Sequence, residues 1–178
     1  GALSWTANSG SGGASSVTGL SDALVESNSI YVGNDPSSTT STAEYNVAVG
    51  ATALDAVTTG DYNVAIGHDA LSSNTTGSHN TATGRDALSS NTTASYNTAS
   101  GELSLNANTT GGNNTATGAG SLEFSTTSSN NTATGANSLH ANTTGDDNVA
   151  IGYDALRAST TGIKNVAIGN YSMDALTT

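Results

Sequence analysis

An asparagine returns every 17 residues, and that regularity constrains the fold of this chain more than any other feature. Asn46, Asn63, Asn80, Asn97, Asn114, Asn131, Asn148 and Asn165 keep the step without insertion or deletion. Two places after each Asn stands an Ala, from Ala48 to Ala167. Four places after it stands a Gly: Gly50, Gly67, Gly84, Gly101, Gly118, Gly135, Gly152 and Gly169. Eight places after it come Leu54, Leu71, Leu88, Leu105, Leu122, Leu139 and Leu156, with Met173 closing the column. A fixed period of this length means that each repeat is one small unit which buries its apolar face only against its neighbours. The expected fold is all-β: a parallel β-solenoid of eight 17-residue coils.

Composition agrees with stacking and with little else. The 178 residues are 34% hydrophobic and 10% charged, which suits neither an ordinary packed core nor a charge-expanded disordered chain. A thin core of Ala and Leu running through stacked coils resolves that conflict. The net charge of −11, with only three Lys and Arg, argues against nucleic acid or an anionic membrane as partner. No stretch approaches the roughly 20 apolar residues of a membrane span, so membrane insertion is not expected. Cysteine is absent, which removes disulfides and thiolate metal sites. Residues 1–44 read as a Gly/Ser-rich lead-in with one Trp, followed by an N-terminal cap. Asn28 to Gly33 look like a stretched repeat opening, and Asp35-Pro36-Ser37 is a turn signal. Residues 45–178 form the repeat domain. Its last coil stops at Thr177-Thr178, aligned with Thr160-Thr161 of the coil before, so a segment of a longer chain is expected.

Within a coil, Asn63-Val64-Ala65-Ile66-Gly67 reads as a short strand ended by Gly, the residue that most simply supplies positive φ at a corner. Side chains alternate, so the Ala column and the Val/Ile column face opposite ways, one of them into the coil. The Leu segment is a short strand or one helical turn; so few residues do not separate the two. Asn74-Thr75-Thr76-Gly77 and its equivalents form a polar corner. The Asn column is expected to form an amide ladder along the stack.

At these residues a resemblance emerges. Asn-Val-Ala-Ile-Gly, at 63–67, 148–152 and 165–169, resembles the head repeat of trimeric autotransporter adhesins of the YadA-like type, and similar repeats occur in bacteriophage tail fibres. The resemblance covers residues 46–178 and implies a left-handed parallel β-roll in a homotrimer. The adhesin repeat is shorter than 17 residues and lacks the Asn-Thr-Thr-Gly corner as a hallmark, which shifts weight toward a phage fibre.

The outward or semi-buried candidates change along the rod. Val47/Val49, Val64/Ile66, Val149/Ile151 and Val166/Ile168 occupy the end coils, and Thr81/Thr83, Thr98/Ser100, Thr115/Thr117 and Thr132/Thr134 the middle. A column that exchanges Val for Thr fits a subunit interface with apolar ends and a hydrogen-bonded middle. The competing reading is a monomeric solenoid whose Thr-x-Thr ranks bind ice or carbohydrate. Tyr45, Tyr62, His79 and Tyr96 form an aromatic strip, either a stabilising ladder or a platform for sugar rings. Glu123, His140, Arg157 and Asp174 place unlike charges on adjacent coils. His68, His79 and His140 sit at three different repeat positions, and no triad or paired-carboxylate arrangement recurs, so no catalytic residue is assigned. Asp61, Asp69, Asp86, Asp146, Asp147 and Asp154 lack the calcium-repeat spacing, and no metal or cofactor is assigned. The Asn-x-Thr sequons, such as those at Asn74 and Asn91, read as a by-product of the repeat and favour a bacterial or phage source. The expected function is a structural fibre or adhesin segment outside the cell, on a virion tail fibre or a bacterial surface. Its partners are other copies of itself and a host surface glycan or protein.

Overall fold

A computed structural model describes residues 23–26, 29–32 and 42–174. The Gly/Ser-rich lead-in, the Asp35-Pro36-Ser37 turn and the last four residues lie outside the described residues. The chain forms one sheet whose strands follow sequence order. β1 (Ala23–Glu26) pairs antiparallel with β2 (Ser29–Val32). From β2 onward every pairing is parallel: β3 (Val47–Val49), β4 (Val64–Ile66), β5 (Thr81–Thr83), β6 (Thr98–Ser100), β7 (Thr115–Thr117), β8 (Thr132–Thr134), β9 (Val149–Ile151) and β10 (Val166–Ile168). Each strand pairs with the residues one period away, Ala48 with Ala65 and Ala65 with Ala82, so the period is the coil. This is a parallel β-solenoid of about eight turns.

The sheet begins one rung before the Asn column does. Ile30 pairs with Val47 and Tyr31 with Ala48, and Ser29 stands in the Asn place, where its Oγ accepts the Asn46 N–H at 2.9 Å. The segment before the repeats is therefore a rung in phase with them rather than a stretched copy. Tyr31 fills the inward place that Ala takes elsewhere and is fully buried.

The interior is settled by which column is covered. Ala48, Ala65, Ala82, Ala99, Ala116, Ala133 and Ala150 are 0–1% exposed, and the Leu column from Leu54 to Leu156 is fully buried. The strand side chains between the Alas point outward. The Leu segment is neither strand nor helix: Leu54 to Leu156 turn with φ between 50° and 55°. A left-handed Leu costs roughly 1–2 kcal/mol. It is held because its side chain is wholly buried and its N–H bonds the next coil, as Leu71 N–H does to Ala87 O at 3.0 Å. The Gly column takes φ of 120° to 142°. A Cβ on Gly67 would lie 2.5 Å from Gly84 O of the coil above, so strain and crowding both demand glycine.

Candidate functional site

The Asn column is an amide ladder at some rungs, where Asn80 Nδ2 donates to Asn63 Oδ1 and Asn131 Nδ2 to Asn114 Oδ1, both at 3.2 Å, and a backbone clamp throughout. Each Oδ1 accepts the backbone N–H of the next Asn: Asn63 N–H to Asn46 Oδ1 at 2.8 Å, Asn114 N–H to Asn97 Oδ1 at 3.0 Å, Asn165 N–H to Asn148 Oδ1 at 3.0 Å. From Asn46 to Asn148 each Nδ2 donates to a carbonyl 14 residues on, as Asn80 does to Ala94 O and Asn97 to Gly111 O, both at 2.8 Å, while Asn165 Nδ2 donates to Asn148 Oδ1 at 3.1 Å. One side chain thus ties its coil across the interior and to the coil above. The amide offers a donor and an acceptor on separate atoms, so it makes both bonds at once, and burial makes each unmade bond costly.

A second buried column was not legible as such from the polar corner. Asn74, Asn91, Asn108 and Asn142 are fully buried. Asn91 Nδ2 donates to Asn74 Oδ1 at 2.8 Å and Asn108 Nδ2 to Asn91 Oδ1 at 3.0 Å. The residue three places later is buried too, Gly after Asn74, Asn108 and Asn142 and Ala94 after Asn91, and a Cβ on Gly77 would sit 2.4 Å from Asn74 Oδ1. Where Ser128 replaces that Gly, Ser125 replaces the Asn, and their hydroxyls bond at 2.5 Å. This joint exchange at one coil was the available signal, although Asn91 stands with Ala94 and Ser159 with Gly162. The sequon asparagines Asn74 and Asn91 are interior, so in the folded protein they are not glycan acceptors, and Asn80 and Asn114, with Ala82 and Ala116 two places on, carry no sequon.

Two surfaces carry the candidates expected from the sequence. On the outer face of the sheet, Ile30, Val32, Val47, Val49 and Ile66 are 36–45% exposed around half-buried Val64, a continuous β-branched patch over three rungs. Val166 and Ile168 are 63% and 68% exposed, and Ile151 40%, beside half-buried Val149. Between these ends Thr81, Thr83, Thr98, Ser100, Thr115, Thr117 and Thr134 are exposed and Thr132 half-buried. Their hydroxyls make no hydrogen bond among the described residues. The sheet's outer face is thus apolar at both ends, with unengaged hydroxyls between.

The aromatic strip is a continuous stack. Tyr45–Tyr62, Tyr62–His79 and His79–Tyr96 lie 4.7, 4.9 and 4.9 Å apart at interplanar angles of 11°, 6° and 6°. All four residues have φ of 57° to 63° at the corner before the Asn. Because neighbouring rings cover each other's faces, the strip offers mainly edges, and a sugar ring seeks a face. The geometry favours the stabilising ladder.

Both arginines are paired locally. Arg85 bonds Asp86 within its coil and Glu102 on the next, and the hydrogen bond and charge of Glu102 raise its pKa above the ordinary value. His140 Nε2 lies 3.2 Å from Glu123 Oε2, while Arg157 turns to Asp154 at 3.6 Å. His68, Asp69 and Asp86 bring ligand atoms within 4.8 Å of one another, but Arg85 holds Asp86 and Thr52 holds Asp69. The three histidines sit in separate settings: His68 beside Asp69, His79 in the stack, His140 against Glu123 and Phe124. Among the described residues no helix is long and apolar enough to cross a membrane. Comparison with family models, curated proteins and solved structures returned no match.

Proposed function

We propose that this chain is a rigid structural segment of an extracellular fibre, on a virion or a bacterial surface, that associates with copies of itself and holds an attachment surface away from its base. The observation that carries the reading is the β-branched patch of Ile30, Val32, Val47, Val49, Val64 and Ile66 on the outer sheet face. Contiguous exposed apolar side chains of this kind mark an interaction surface. The chain supplies the matching element itself, since every copy carries the same patch and the same row of unengaged hydroxyls in the same register. Three copies, with Thr facing Thr in the middle, satisfy hydroxyls that have no hydrogen-bond partner among the described residues; the resemblance to trimeric adhesin and tail-fibre repeats points to the same number and to a left-handed coil.

The test is the absolute mass of residues 1–178 in solution, by light scattering or native mass spectrometry. Three chains are expected, with Val64→Asp/Ile66→Asp dissociating the assembly. A folded monomer of the unmutated chain overturns the proposal and leaves the Thr-x-Thr ranks facing water.

A further inference from the structure

One polar column is invariant although the fold makes no demand on it. After Thr42, which opens the column, Thr59, Thr76, Thr93, Thr110, Thr127, Thr144 and Thr161 recur at the coil period, and every one is exposed. Other kept polar columns have a structural task. In the column one place earlier, Thr58, Thr75, Thr92, Thr109, Thr126 and Thr143 donate Oγ1 to a Thr carbonyl of the next coil at 3.0–3.2 Å. Ser78, Ser95 and Ser129 accept a backbone N–H from the previous coil at 3.0–3.2 Å. The hydroxyls of the seven-Thr row make no hydrogen bond among the described residues. Copying of repeats does not explain the row, because another fully exposed column drifts through Tyr45, Tyr62, His79, Tyr96, Asn113, Asn130, Asp147 and Lys164. Serine is abundant in this chain and never enters the row. What is kept is a hydroxyl together with a methyl, on a side chain whose χ1 is restricted.

We propose that this row binds crystalline water, so that the rod adsorbs to ice. Thr58 N–H bonds Thr75 O and Thr75 N–H bonds Thr92 O, both at 2.9 Å, so the row is carried on a parallel backbone ladder. Such a ladder spaces successive Thr by about 4.7–4.9 Å. In tetrahedrally bonded water with an O···O distance of about 2.75 Å, second neighbours lie about 4.5 Å apart. Successive Thr hydroxyls therefore stand close to where alternate oxygens of a hydrogen-bonded water row stand. Each has one donor and two acceptor directions open to that row. The methyls between them exclude competing water orientations. The row is ordered at folding, so adsorption has little side-chain freedom left to remove, and seven weak contacts on one rigid support act together. This row lies on the run after the Leu turn, apart from the strand residues proposed for self-association, and it needs no trimer.

The experiment is nanolitre osmometry on the folded chain of 178 residues, with the crystal habit recorded. A gap between melting and freezing temperatures and faceted crystals are expected. Thr93→Lys/Thr110→Lys/Thr127→Lys should abolish both while leaving circular dichroism and mass unchanged; Thr98→Lys/Thr115→Lys on the strand face should leave both in place. If the triple Lys variant fails to fold, Thr→Ser at the same three sites, which removes only methyls, should shrink the gap. An unmutated chain that leaves ice unshaped overturns the inference, as does loss confined to the strand-face variant. A monomer that shapes ice overturns self-association alone, and a trimer that does not shape ice overturns this inference alone.

Discussion

Replacing Gly101 by Ala tests how closely the coils are stacked, and Gly169→Ala supplies its internal control. Both glycines have strongly positive φ, 142° and 120°, so a Cβ strains the backbone at either. Such strain costs about 1–3 kcal/mol. The two sites differ in what the Cβ meets. At Gly101 it would lie 2.6 Å from Gly118 C and O and 2.9 Å from Ala119 N, whereas at Gly169 nothing lies within 4 Å. The obstacle at Gly101 is the backbone of the next coil, which yields only if the ladder opens; overpacking of this sort adds about 1–3 kcal/mol. Gly101→Ala should therefore cost about 3–5 kcal/mol and Gly169→Ala about 1–3. Urea unfolding followed by circular dichroism, on both variants in the same oligomeric state, measures the difference. Equal losses would show that strain alone explains the Gly column and that the coils do not constrain one another as described.

Asn114→Ala leaves the Asn131 N–H and the Ser128 carbonyl without their 3.0 and 2.8 Å partners. At about 1–3 kcal/mol per buried orphan, a loss of about 3–5 kcal/mol is expected in the same unfolding assay. Ser125→Asn/Ser128→Gly should instead raise stability by about 1 kcal/mol, because Asn108 Oδ1 is buried without a hydrogen bond and the new amide restores the second ladder through it. Ser125→Asn alone should gain less, since at the equivalent Gly111 a Cβ would stand 2.7 Å from Asn108 Oδ1. His79→Asn keeps a residue that tolerates positive φ, as Asn113 does in the same column, and removes both 4.9 Å ring contacts. It should cost about 1–2 kcal/mol and weaken the near-ultraviolet tyrosine dichroism. An unchanged midpoint would show that the stack contributes nothing.

The period, the parallel pairing and the residues sharing a column were legible in the sequence, because a solenoid converts equal spacing directly into stacking. Ala65 lies beside Ala82 for no reason beyond their separation. Gly at the corner was legible as well, since few other residues accept its φ. Which way each column points was not. Alternation states only that Ala65 and Val64 face apart; that Ala65 is covered while Val64 is half-buried is decided by the closed coil. The left-handed Leu turn was hidden for the same reason, because burial and a bond to the next coil override a local preference that sequence reasoning rightly assigns. Asn74 and Thr76 looked alike in a polar corner, yet the fold buries one and exposes the other. Sequence thus determined the axis of the rod; tertiary structure decided its inside and its outside, because only the closed cross-section says which polar groups find partners and which are left to water.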